Sequence, residues 1–597
     1  MIWMRDLKPL KNKKPILGFC TFDIEAENWK DFRLLGLYDG QKYQRFEDFG
    51  QAMRAILGRE TRNKILYAHN LSYDGMFILD YILNERPELQ CVPVLNGSKL
   101  ISIDVRGKSS GGGEKWRFRD SFSILPTSLK ALTKSFNVEH QKIDEDSVKG
   151  MIANYDYNRN DCMGLYEVLV KFFGLLGGKV GMTISQTSLI NFREKFQIRD
   201  ISSVFKYEKQ IRDAYYGGRT EIFRFNDDME KKFYYFDINS LYPYCLSEFE
   251  YPFGRFGFTF PDIDKFGFSL AKVDDDLYYP LLPERVDDKM LFRRGIKTGW
   301  YSNQELKRME NLGCDVDVMA TLATDDHGPV FEGFIKNWYE KRLKAKSDNN
   351  DALQFVCKLM MNSFYGKFAQ DRIKFMTIIH PDRICEGMNA VKVGNHVLYQ
   401  TRQFSKASFI IPSISAMTTS YARLLMHERF IKAGNHLFYT DTDSCILDRN
   451  LFEHCRDMGG MKLEEEITGL NIVLPKVYFY KDIDGGFHVK AKGIPLSPNL
   501  PATERKRILM SFLNKEQISN NAGLWSFKKS LVKSRTTGLS TILFRKEMTR
   551  TLQSYYDKRR IEDDLSCSPF GIGDDRSVNQ GKFAEILEMA KKSLDAF

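Results

Sequence analysis

The 597-residue sequence lacks the marks of secreted, membrane-spanning and zinc-binding proteins. Its ten cysteines are scattered without a Cys-x-x-Cys pair, which argues against a zinc site or a disulfide framework and favours a reducing compartment. No apolar run approaches the roughly 18 residues that a membrane helix needs. The N-terminus is basic but has neither an apolar centre nor a small-residue cleavage site, so we expect no secretory signal. A short organellar targeting sequence stays open.

The composition indicates a soluble, globular chain of several domains. Hydrophobic residues make up 43% and charged residues 28%, and the length exceeds what a single core supports. The net charge is +10, and residues 501–560 alone contain fourteen Lys or Arg against four Asp or Glu. Such a charge run is often only a solvated surface, but it also suits a surface that holds nucleic-acid phosphates.

Two acidic stretches stand about two hundred residues apart. Residues 438–446 read Phe-Tyr-Thr-Asp-Thr-Asp-Ser-Cys-Ile, which predicts a tight β-hairpin carrying Asp441 and Asp443. Side chains two residues apart in a strand point to one face, so we expect both carboxylates to lean towards one cation, as in many Mg²⁺-dependent nucleotide sites. An ordinary Asp-rich turn is the simpler interpretation. A second acidic strand, within residues 233–244, places Asp237 before an Asn-Ser turn.

A third stretch lies between these two and predicts a helix. Residues 358–366 read Lys-Leu-Met-Met-Asn-Ser-Phe-Tyr-Gly, with Lys358, Asn362 and Tyr365 on one helical face. The three stretches resemble the palm and fingers motifs of family B DNA polymerases: Asp-x-x-Ser-Leu-Tyr-Pro, Lys-x-x-x-Asn-Ser-x-Tyr-Gly and Tyr-x-Asp-Thr-Asp-Ser. They also occur in the order that the family has.

The N-terminal third carries four acids in positions that suit a nuclease. Asp23 and Glu25 end an apolar strand on one face, Asp74 follows a short strand, and Asp161 lies four residues after Tyr157 in a predicted helix. Each acid alone is more often a helix cap or a surface group. Together, four carboxylates can hold two metal ions that activate water and stabilise the leaving oxygen of a phosphodiester. In this order they resemble the motifs of the DEDDy-type 3′-5′ exonuclease domain that precedes the palm in family B.

The resemblance implies an α/β multidomain fold, in which an RNase H-like 3′-5′ exonuclease domain is followed by a right-hand polymerase domain of palm, fingers and thumb. The expected segments are the exonuclease domain (1–185), a connector with the first part of the palm (186–250), a first insertion (251–345), the fingers (346–369), a second insertion (370–403), the palm with the catalytic hairpin (404–496), and the thumb with a C-terminal tail (497–597).

The two insertions resemble those of the protein-primed branch of family B, found in phages and linear plasmids. In that branch the first insertion contacts the terminal priming protein and the template duplex, and the second closes a ring around DNA that supports processive, strand-displacing synthesis. Residues 391–399, in the second insertion, predict a β-hairpin across Gly-Asn. Residues 553–597 extend past the usual compact thumb and have no functional assignment.

The resemblance also implies roles for individual residues of the polymerase site. The metal-binding and catalytic residues would be Asp237, Ile238 and Asp443, with Asp441 assisting. The nucleotide-binding residues would come from the Ser-Leu-Tyr-Pro motif, the fingers motif and the helix before it: Ser240, Leu241, Tyr242, Lys346, Lys358, Asn362 and Tyr365. Tyr242 would lie beneath the sugar and exclude a 2′-hydroxyl, the group that separates RNA from DNA.

In the exonuclease site the metal ligands would be Asp23, Glu25, Asp74 and Asp161. Tyr157 would orient the attacking water, and Lys142 matches a lysine that assists cleavage. The DNA contacts implied by the resemblance are Asn70, Tyr73, Ser121, Phe122, Tyr215, Gly217, Gly218, Lys476 and Tyr478. Phe122 departs from the family pattern, which has Leu at that position.

The sequence therefore predicts a template-directed DNA polymerase with proofreading, which replicates a viral or linear-plasmid genome. Its partners would be template and primer DNA, dNTPs and a terminal protein, without a membrane. Two Mg²⁺ ions are expected in the palm and two in the exonuclease site, with Mn²⁺ as an acceptable substitute. Two alternatives stay open: a primer-independent primase-polymerase, and a DNA-binding nuclease with a vestigial polymerase site. The expected location is the host cytoplasm, with an organellar linear plasmid also open.

Overall fold

The structure is a computed structural model, which describes residues 6–10, 18–27, 31–86, 88–96, 99–107, 114–143, 155–380, 390–393, 396–492, 494, 496, 500–524 and 545–596. Among these residues, no helix combines the length and the apolar character needed to cross a membrane. The nine cysteines within the described ranges are free thiols, and seven of them are buried, as the scattered spacing predicts.

The N-terminal region contains β1 (Phe19–Glu27), β2 (Asp31–Tyr38), β3 (Tyr43–Phe46), α1 (Phe49–Ile56), β4 (Ile65–Ala68), α2 (Leu71–Glu85), β5 (Gln90–Asn96), β6 (Lys99–Arg106), β7 (Lys115–Asp120), α3 (Leu129–Ser135), α4 (Tyr155–Leu175) and α5 (Ile184–Lys195). The next region contains α6 (Glu208–Asp213), β8 (Thr220–Ile222), β9 (Lys232–Ile238) and α7 (Leu241–Glu248).

The middle of the chain contains β10 (Tyr251–Pro252), β11 (Gly257–Thr259), β12 (Gly267–Asp275), β13 (Glu284–Val286), β14 (Lys289–Leu291), β15 (Gly295–Ser302), α8 (Asn303–Asn311), β16 (Val316–Ala323), β17 (His327–Gly328), α9 (Glu332–Ser347), α10 (Asp351–Asn362), β18 (Ile373–His380), β19 (Ala390–Val393) and β20 (His396–Phe404). The remainder contains α11 (Pro412–Ala433), β21 (Leu437–Asp441), β22 (Ser444–Leu447), β23 (Met461–Leu474), β24 (Val477–Asp482), β25 (Phe487–Ala491), α12 (Ala502–Leu513), β26 (Ile518–Leu524), β27 (Arg545–Arg550), β28 (Arg559–Ile561), β29 (Cys567–Pro569) and α13 (Gln580–Ala596).

The N-terminal region is built around β1, which pairs antiparallel with β2 and parallel with β4. Alternation along β1 buries Phe22 and Ile24 in one core cluster, so Asp23 and Glu25 point to the opposite face. Helix α4 packs across β1 and β2 on that face. The strand end and the helix therefore bring acids from distant parts of the sequence to one place.

The second insertion extends this same sheet. Strands β18 to β20 form an antiparallel ribbon, and β18 pairs with β5 through Ile379 and Cys91. The sheet thereby reaches ten strands, in the order β19-β20-β18-β5-β6-β7-β4-β1-β2-β3. The predicted hairpin is present as strands β19 and β20, and its Gly-Asn turn lies outside the described residues.

A seven-stranded antiparallel sheet in the order β25-β24-β23-β9-β22-β21-β8 forms the palm. Its central strand β9 buries Phe233, Phe236 and Ile238. The predicted hairpin is present as β21 and β22, which pair from Leu437 to Leu447. The four-stranded sheet β11-β16-β12-β15 and helix α8 lie within the first insertion.

The fingers consist of α9 and α10, which pack against each other. Two expected segment boundaries fall inside helices: 345/346 lies within α9, and 185/186 lies within α5. The spacing between motifs shows that an insertion is present but not where it begins or ends, because a helix can continue across that boundary. The fingers pair begins at Glu332.

The C-terminal tail, described for residues 553–596, folds back onto the palm. Strands β28 and β29 pair with each other, and α13 packs against β23 and α12. The basic segment is therefore not one continuous surface: Arg559 is fully buried and Lys558 is partly buried. Counting charges along the sequence could not separate these two cations from those that face solvent.

Candidate active sites

Backbone pairing brings Asp237 and Asp443 together at one end of the palm sheet. Asp237 pairs with Ser444 across β9 and β22, and the backbone N–H of Ile238 donates to the carbonyl of Asp443 at 2.8 Å. Thr442, at the tip of the hairpin, has a φ of +68°, a left-handed conformation that closes the two-residue turn. The two carboxylates thus lie side by side although 206 positions separate them in the sequence.

The electrostatics of this pair favour a bound cation. Burial, and then the charge of Asp443, raise the pKa of the Asp237 carboxyl to about 7, while Lys462 and Lys358 oppose the rise. Burial also raises the pKa of Asp443, and Asp441 adds to that rise. Two partly buried carboxylates repel each other unless a cation lies between them. Their oxygen ligands suit a hard ion such as Mg²⁺.

Asp441 has a cationic partner of its own, which the expectation that both hairpin carboxylates lean towards one cation did not include; that expectation stays a prediction. Lys476 Nζ lies 2.5 and 2.6 Å from the two carboxylate oxygens of Asp441. The hydroxyl of Thr220 donates to the same carboxylate at 3.0 Å. Because Asp443 belongs to the turn rather than to a strand, the two-residue alternation does not apply to this pair. Asp441 is held by a cation of the protein.

The Gly-Gly pair before β8 lies against the catalytic turn. A Cβ added at Gly218 would lie 2.7 Å from Cγ2 of Thr442, whereas a Cβ at Gly217 would meet open space. The backbone N–H of Thr442 also donates to the carbonyl of Arg219 at 2.8 Å. Gly218 is therefore required by the close approach of the β-branched Thr442 side chain. Tyr215, expected beside it as a DNA contact, is partly buried.

A cavity of about 360 Å³ opens between the fingers and the palm. Lys346, predicted to bind the triphosphate, lines it together with Arg342, Arg456 and Lys462. Arg342 lies one helical turn before Lys346 and donates to the hydroxyl of Ser240 at 3.2 Å. The sequence analysis missed Arg342, although its i, i+4 spacing from Lys346 was a usable signal.

The fingers helix presents its predicted face towards the palm. Lys358 and Asn362 are exposed, and Lys358 is close enough to Asp237 to lower the pKa of that carboxyl. The rings of Tyr365 and Tyr242 lie 4.5 Å apart between centroids. Leu241, by contrast, is buried at 1% exposure and belongs to the core cluster against which both tyrosines pack.

A second cavity, of about 630 Å³, holds the N-terminal acids. Carboxylate oxygens of Asp23, Glu25 and Asp161 all lie within 4.8 Å of one another. Asp74 lines the same cavity and accepts a 2.9 Å hydrogen bond from the backbone N–H of Ile24. Burial, followed by the charges of Glu25 and Asp74, raises the pKa of Asp23 well above its ordinary value.

Polar side chains around these acids set their orientation. Lys142 Nζ donates to the hydroxyl of Tyr157 at 2.7 Å and also pairs with Asp161. Burial alone would lower the pKa of Lys142, but Asp161 and Tyr157 raise it above its ordinary value. Asn158 Nδ2 donates to Asp23 at 2.9 Å. Asn158 was missed because its neighbours Tyr157 and Asp161 carried the motif.

The residues predicted to contact a single DNA strand differ in their access to this cavity. Asn70, Tyr73 and Phe122 line it, together with Lys99, which lies 4.7 Å from the Phe122 ring and was not predicted. The expected contact by Ser121 is wrong: its side chain is completely buried, and its hydroxyl donates to the carbonyl of Ala68 at 2.9 Å. A buried hydroxyl with an internal acceptor has no surface to offer a DNA strand.

The Lys-x-Tyr tripeptide lies beneath the catalytic hairpin. Lys476 accounts for the orientation of Asp441, and its backbone N–H donates to the hydroxyl of Tyr439 at 2.9 Å. Tyr478 is only 6% exposed, and its ring lies 5.4 Å from that of Tyr439. The tripeptide therefore contacts the hairpin through side chains from the turn between β23 and β24 and from the start of β24.

Comparisons with known proteins agree with this geometry. The family described as DNA polymerase type B, organellar and viral, matches residues 57–146 and 144–419, which together cover more than half of the chain. A probable DNA polymerase of Ascobolus immersus is 25% identical over 79% of this chain and 46% of its own length. The DNA-directed DNA polymerase of Enterobacteria phage PRD1 is 24% identical over 82% of this chain and 88% of its own length.

The chain spans about half the length of the fungal relatives that it matches, from Ascobolus immersus, Neurospora intermedia and Podospora anserina. Among solved structures, Phi29 DNA polymerase complexed with primer-template DNA and incoming nucleotide substrates superposes with a TM-score of 0.71. That match has 19% identity and covers 90% of this chain and all of the other. The likeness confirms the predicted fold, an exonuclease domain followed by palm, fingers and thumb.

Proposed function

This chain belongs to the type B DNA polymerases of organelles and viruses, and from that premise we propose that it copies a DNA template and proofreads the product with a 3′-5′ exonuclease. Polymerases of this family use divalent metal ions. The observation that carries the proposal is the partly buried Asp237–Asp443 pair beside Lys462, which pairs with Asp237 across β9 and β23 and lines a cavity together with Arg342 and Lys346. Nucleotide transfer requires carboxylates that bind metal ions and, beside them, basic side chains that bind phosphates.

The residues of the palm suit this chemistry in a definite arrangement. Asp237 and Asp443 would hold two Mg²⁺ ions, which, when bound, lower the pKa of the primer 3′-hydroxyl and stabilise the leaving pyrophosphate. Arg342 and Lys346 neutralise the triphosphate from the fingers side. Tyr242 and Tyr365, whose rings are in contact, form the floor under the incoming sugar, where a 2′-hydroxyl would collide with a ring.

The exonuclease residues suit hydrolysis of a frayed primer end. Asp23, Glu25, Asp74 and Asp161 would hold two further divalent ions. The Tyr157 hydroxyl orients the attacking water, and Lys142 fixes that hydroxyl by its 2.7 Å hydrogen bond. Asn70, Tyr73 and Phe122 line the cavity where the unpaired strand would enter.

The protein-primed branch of the family is the basis on which we propose further partners. We propose a terminal protein as the primer, with the first insertion as its contact surface, and a viral or linear-plasmid genome as the template. The second insertion hydrogen-bonds to the edge of the exonuclease sheet. That attachment supports a role in enclosing the DNA that passes between the two active sites.

The test is extension of a labelled DNA primer on a template with Mg²⁺ and dNTPs. Extension by the wild-type protein, lost in Asp443→Ala and retained in Asp23→Ala combined with Glu25→Ala, would support both assignments. Degradation of single-stranded DNA should show the opposite pattern. A wild-type protein that degrades DNA but never extends a primer would overturn the polymerase proposal.

A further inference from the structure

Strand β8 lies at the edge of the palm sheet and is only three residues long. On its inner side it pairs with the catalytic strand β21, with Thr220 opposite Asp441 and Ile222 opposite Tyr439. An edge strand leaves outward N–H and C=O groups that need partners. A strand this short has few ladder bonds of its own, so its position depends on what satisfies its outer side.

The outer side of β8 is satisfied by side chains of the C-terminal tail. The Tyr556 hydroxyl accepts a 3.0 Å hydrogen bond from the N–H of Ile222 and donates to the carbonyl of the same residue at 3.2 Å. Lys558 Nζ donates to the carbonyl of Thr220 at 2.9 Å. These are the outward groups of alternate residues, so the two side chains take the place of a neighbouring strand.

The residue between them is held by charge. Glu221 is completely buried, and its Oε2 accepts from Arg219 at 2.8 and 3.0 Å. Arg559, also completely buried, lies 3.5 Å from the same oxygen. Removing one member of such a buried group leaves an uncompensated charge, which is strongly destabilising. The tail is therefore joined to β8 at three consecutive residues.

The tail is itself anchored, so it can act as a support. Asn579 Nδ2 donates to the carbonyls of Tyr556 and Arg559 at 2.6 and 2.7 Å. Lys289 of the first insertion pairs with Asp557 at 2.5 Å, and the carbonyl of Phe570 accepts from the N–H of Arg294 at 2.8 Å. Contacts from both the palm side and the insertion side fix these residues.

We propose that the tail is a positioning element of the polymerase site, in which Tyr556 and Lys558 hold β8 so that Thr220 keeps the Asp441 carboxylate, and with it the turn that carries Asp443, in place. The connection is short: Lys558 contacts the backbone of Thr220, and the hydroxyl of Thr220 donates to Asp441 at 3.0 Å. This inference rests on the proposed polymerase function. It assigns a role to the segment that extends past the thumb.

The test uses the full chain with Tyr556→Phe and Lys558→Met, each removing one hydrogen-bonding group while keeping most of the side-chain volume. The matched controls are Tyr555→Phe and Lys592→Met, a partly buried tyrosine and an exposed lysine of the same tail. The measurements are kcat and KM for addition of one dATP to a primed template, exonuclease rate on single-stranded DNA, and thermal midpoint. Because a misplaced catalytic group slows the chemical step, we expect kcat to fall about fivefold to tenfold in both test variants. KM, exonuclease rate and the controls should stay within about twofold.

A second measurement separates positioning from general stability. Combining Tyr556→Phe with Thr220→Val should lower kcat by less than the product of the two single effects, because both residues act on Asp441 through one strand. The inference would be overturned if the test variants had the same kcat as the controls. It would also be overturned if their polymerase and exonuclease rates both fell in parallel with the thermal midpoint. Failure of the wild-type protein to extend a primer would overturn the proposed function itself, before the variants are compared.

Discussion

The three palm aspartates should respond very differently to the same substitution. Changing Asp to Asn keeps the shape of the side chain and removes its charge, so the loss reports what the charge does. We expect Asp237→Asn and Asp443→Asn each to lower kcat by about 10³-fold or more, and Asp441→Asn by about tenfold. The difference follows from the partners of each carboxylate in the structure.

The magnitude for Asp441 comes from its contact with Lys476, at 2.5 and 2.6 Å. The pair is partly exposed, with 37% of the lysine side chain and 26% of the aspartate side chain accessible. Charge-assisted hydrogen bonds contribute about 1.5–3 kcal/mol when buried, and solvent reduces that to about 1–1.5 kcal/mol for this pair. Each 1.4 kcal/mol corresponds to about tenfold in rate. Asp237 and Asp443, which face the expected metal position, lose a direct ligand instead.

Single-nucleotide addition, measured across a range of Mg²⁺ concentrations, distinguishes the two roles. Asp443→Asn should raise the Mg²⁺ concentration needed for half-maximal rate, whereas Asp441→Asn should leave it nearly unchanged. Lys476→Met is the companion variant, and its effect should overlap with that of Asp441→Asn in the double variant because both remove the same contact. If Asp441→Asn is as inactive as Asp443→Asn and shifts the Mg²⁺ dependence equally, Asp441 is a metal ligand and the reasoning fails.

Three further outcomes are expected. Asp23→Ala combined with Glu25→Ala should abolish degradation of single-stranded DNA while leaving primer extension within about twofold, since the two acids line a cavity separate from the palm site; residual degradation above about 1% would contradict this. Tyr242→Val should raise incorporation of ribonucleotides relative to deoxyribonucleotides by about tenfold or more, because it removes the ring that contacts Tyr365 and is expected to exclude a 2′-hydroxyl; unchanged discrimination would place the gate elsewhere. Lys142→Met should slow the exonuclease about tenfold without affecting extension, because Lys142 holds the Tyr157 hydroxyl.

The parts of the site that the sequence predicted are those where one short segment carries several functional groups. The hairpin of Asp441 and Asp443, the strand of Asp237 and the fingers helix of Lys358 are local patterns, and local backbone geometry places their side chains. The fold followed from the same motifs, because their order matches one known architecture. Segment boundaries did not follow, since α9 continues through the position where spacing placed an edge.

Tertiary contacts themselves stayed out of reach. The i, i+4 spacing of Arg342 and Lys346 could have placed both on one helical face, but only the packing of α9 over the palm brings Arg342 to Ser240. Ser121 illustrates the opposite error, since a motif position is assumed to be exposed until burial is known. The basic segment is similar: Arg559 adds to the positive charge counted in the sequence, but in the fold it is buried and paired with Glu221.

Contacts on two sides of the hairpin are the basis for the different roles that we propose for Asp441 and Asp443. Lys476 holds Asp441 from beneath the hairpin, and Thr220 of β8 holds it from the edge strand. A carboxylate that already has these two partners is poorly placed to bind a metal ion. The charge of Asp441 is nevertheless useful, because it fixes the end of β21, which lies directly before the turn. Asp443, carried by that turn and paired through its backbone with Ile238, is left to face Asp237. If the tail has the role proposed above, the geometry of the expected metal-binding pair depends on residues as distant in the sequence as Lys476 and Tyr556.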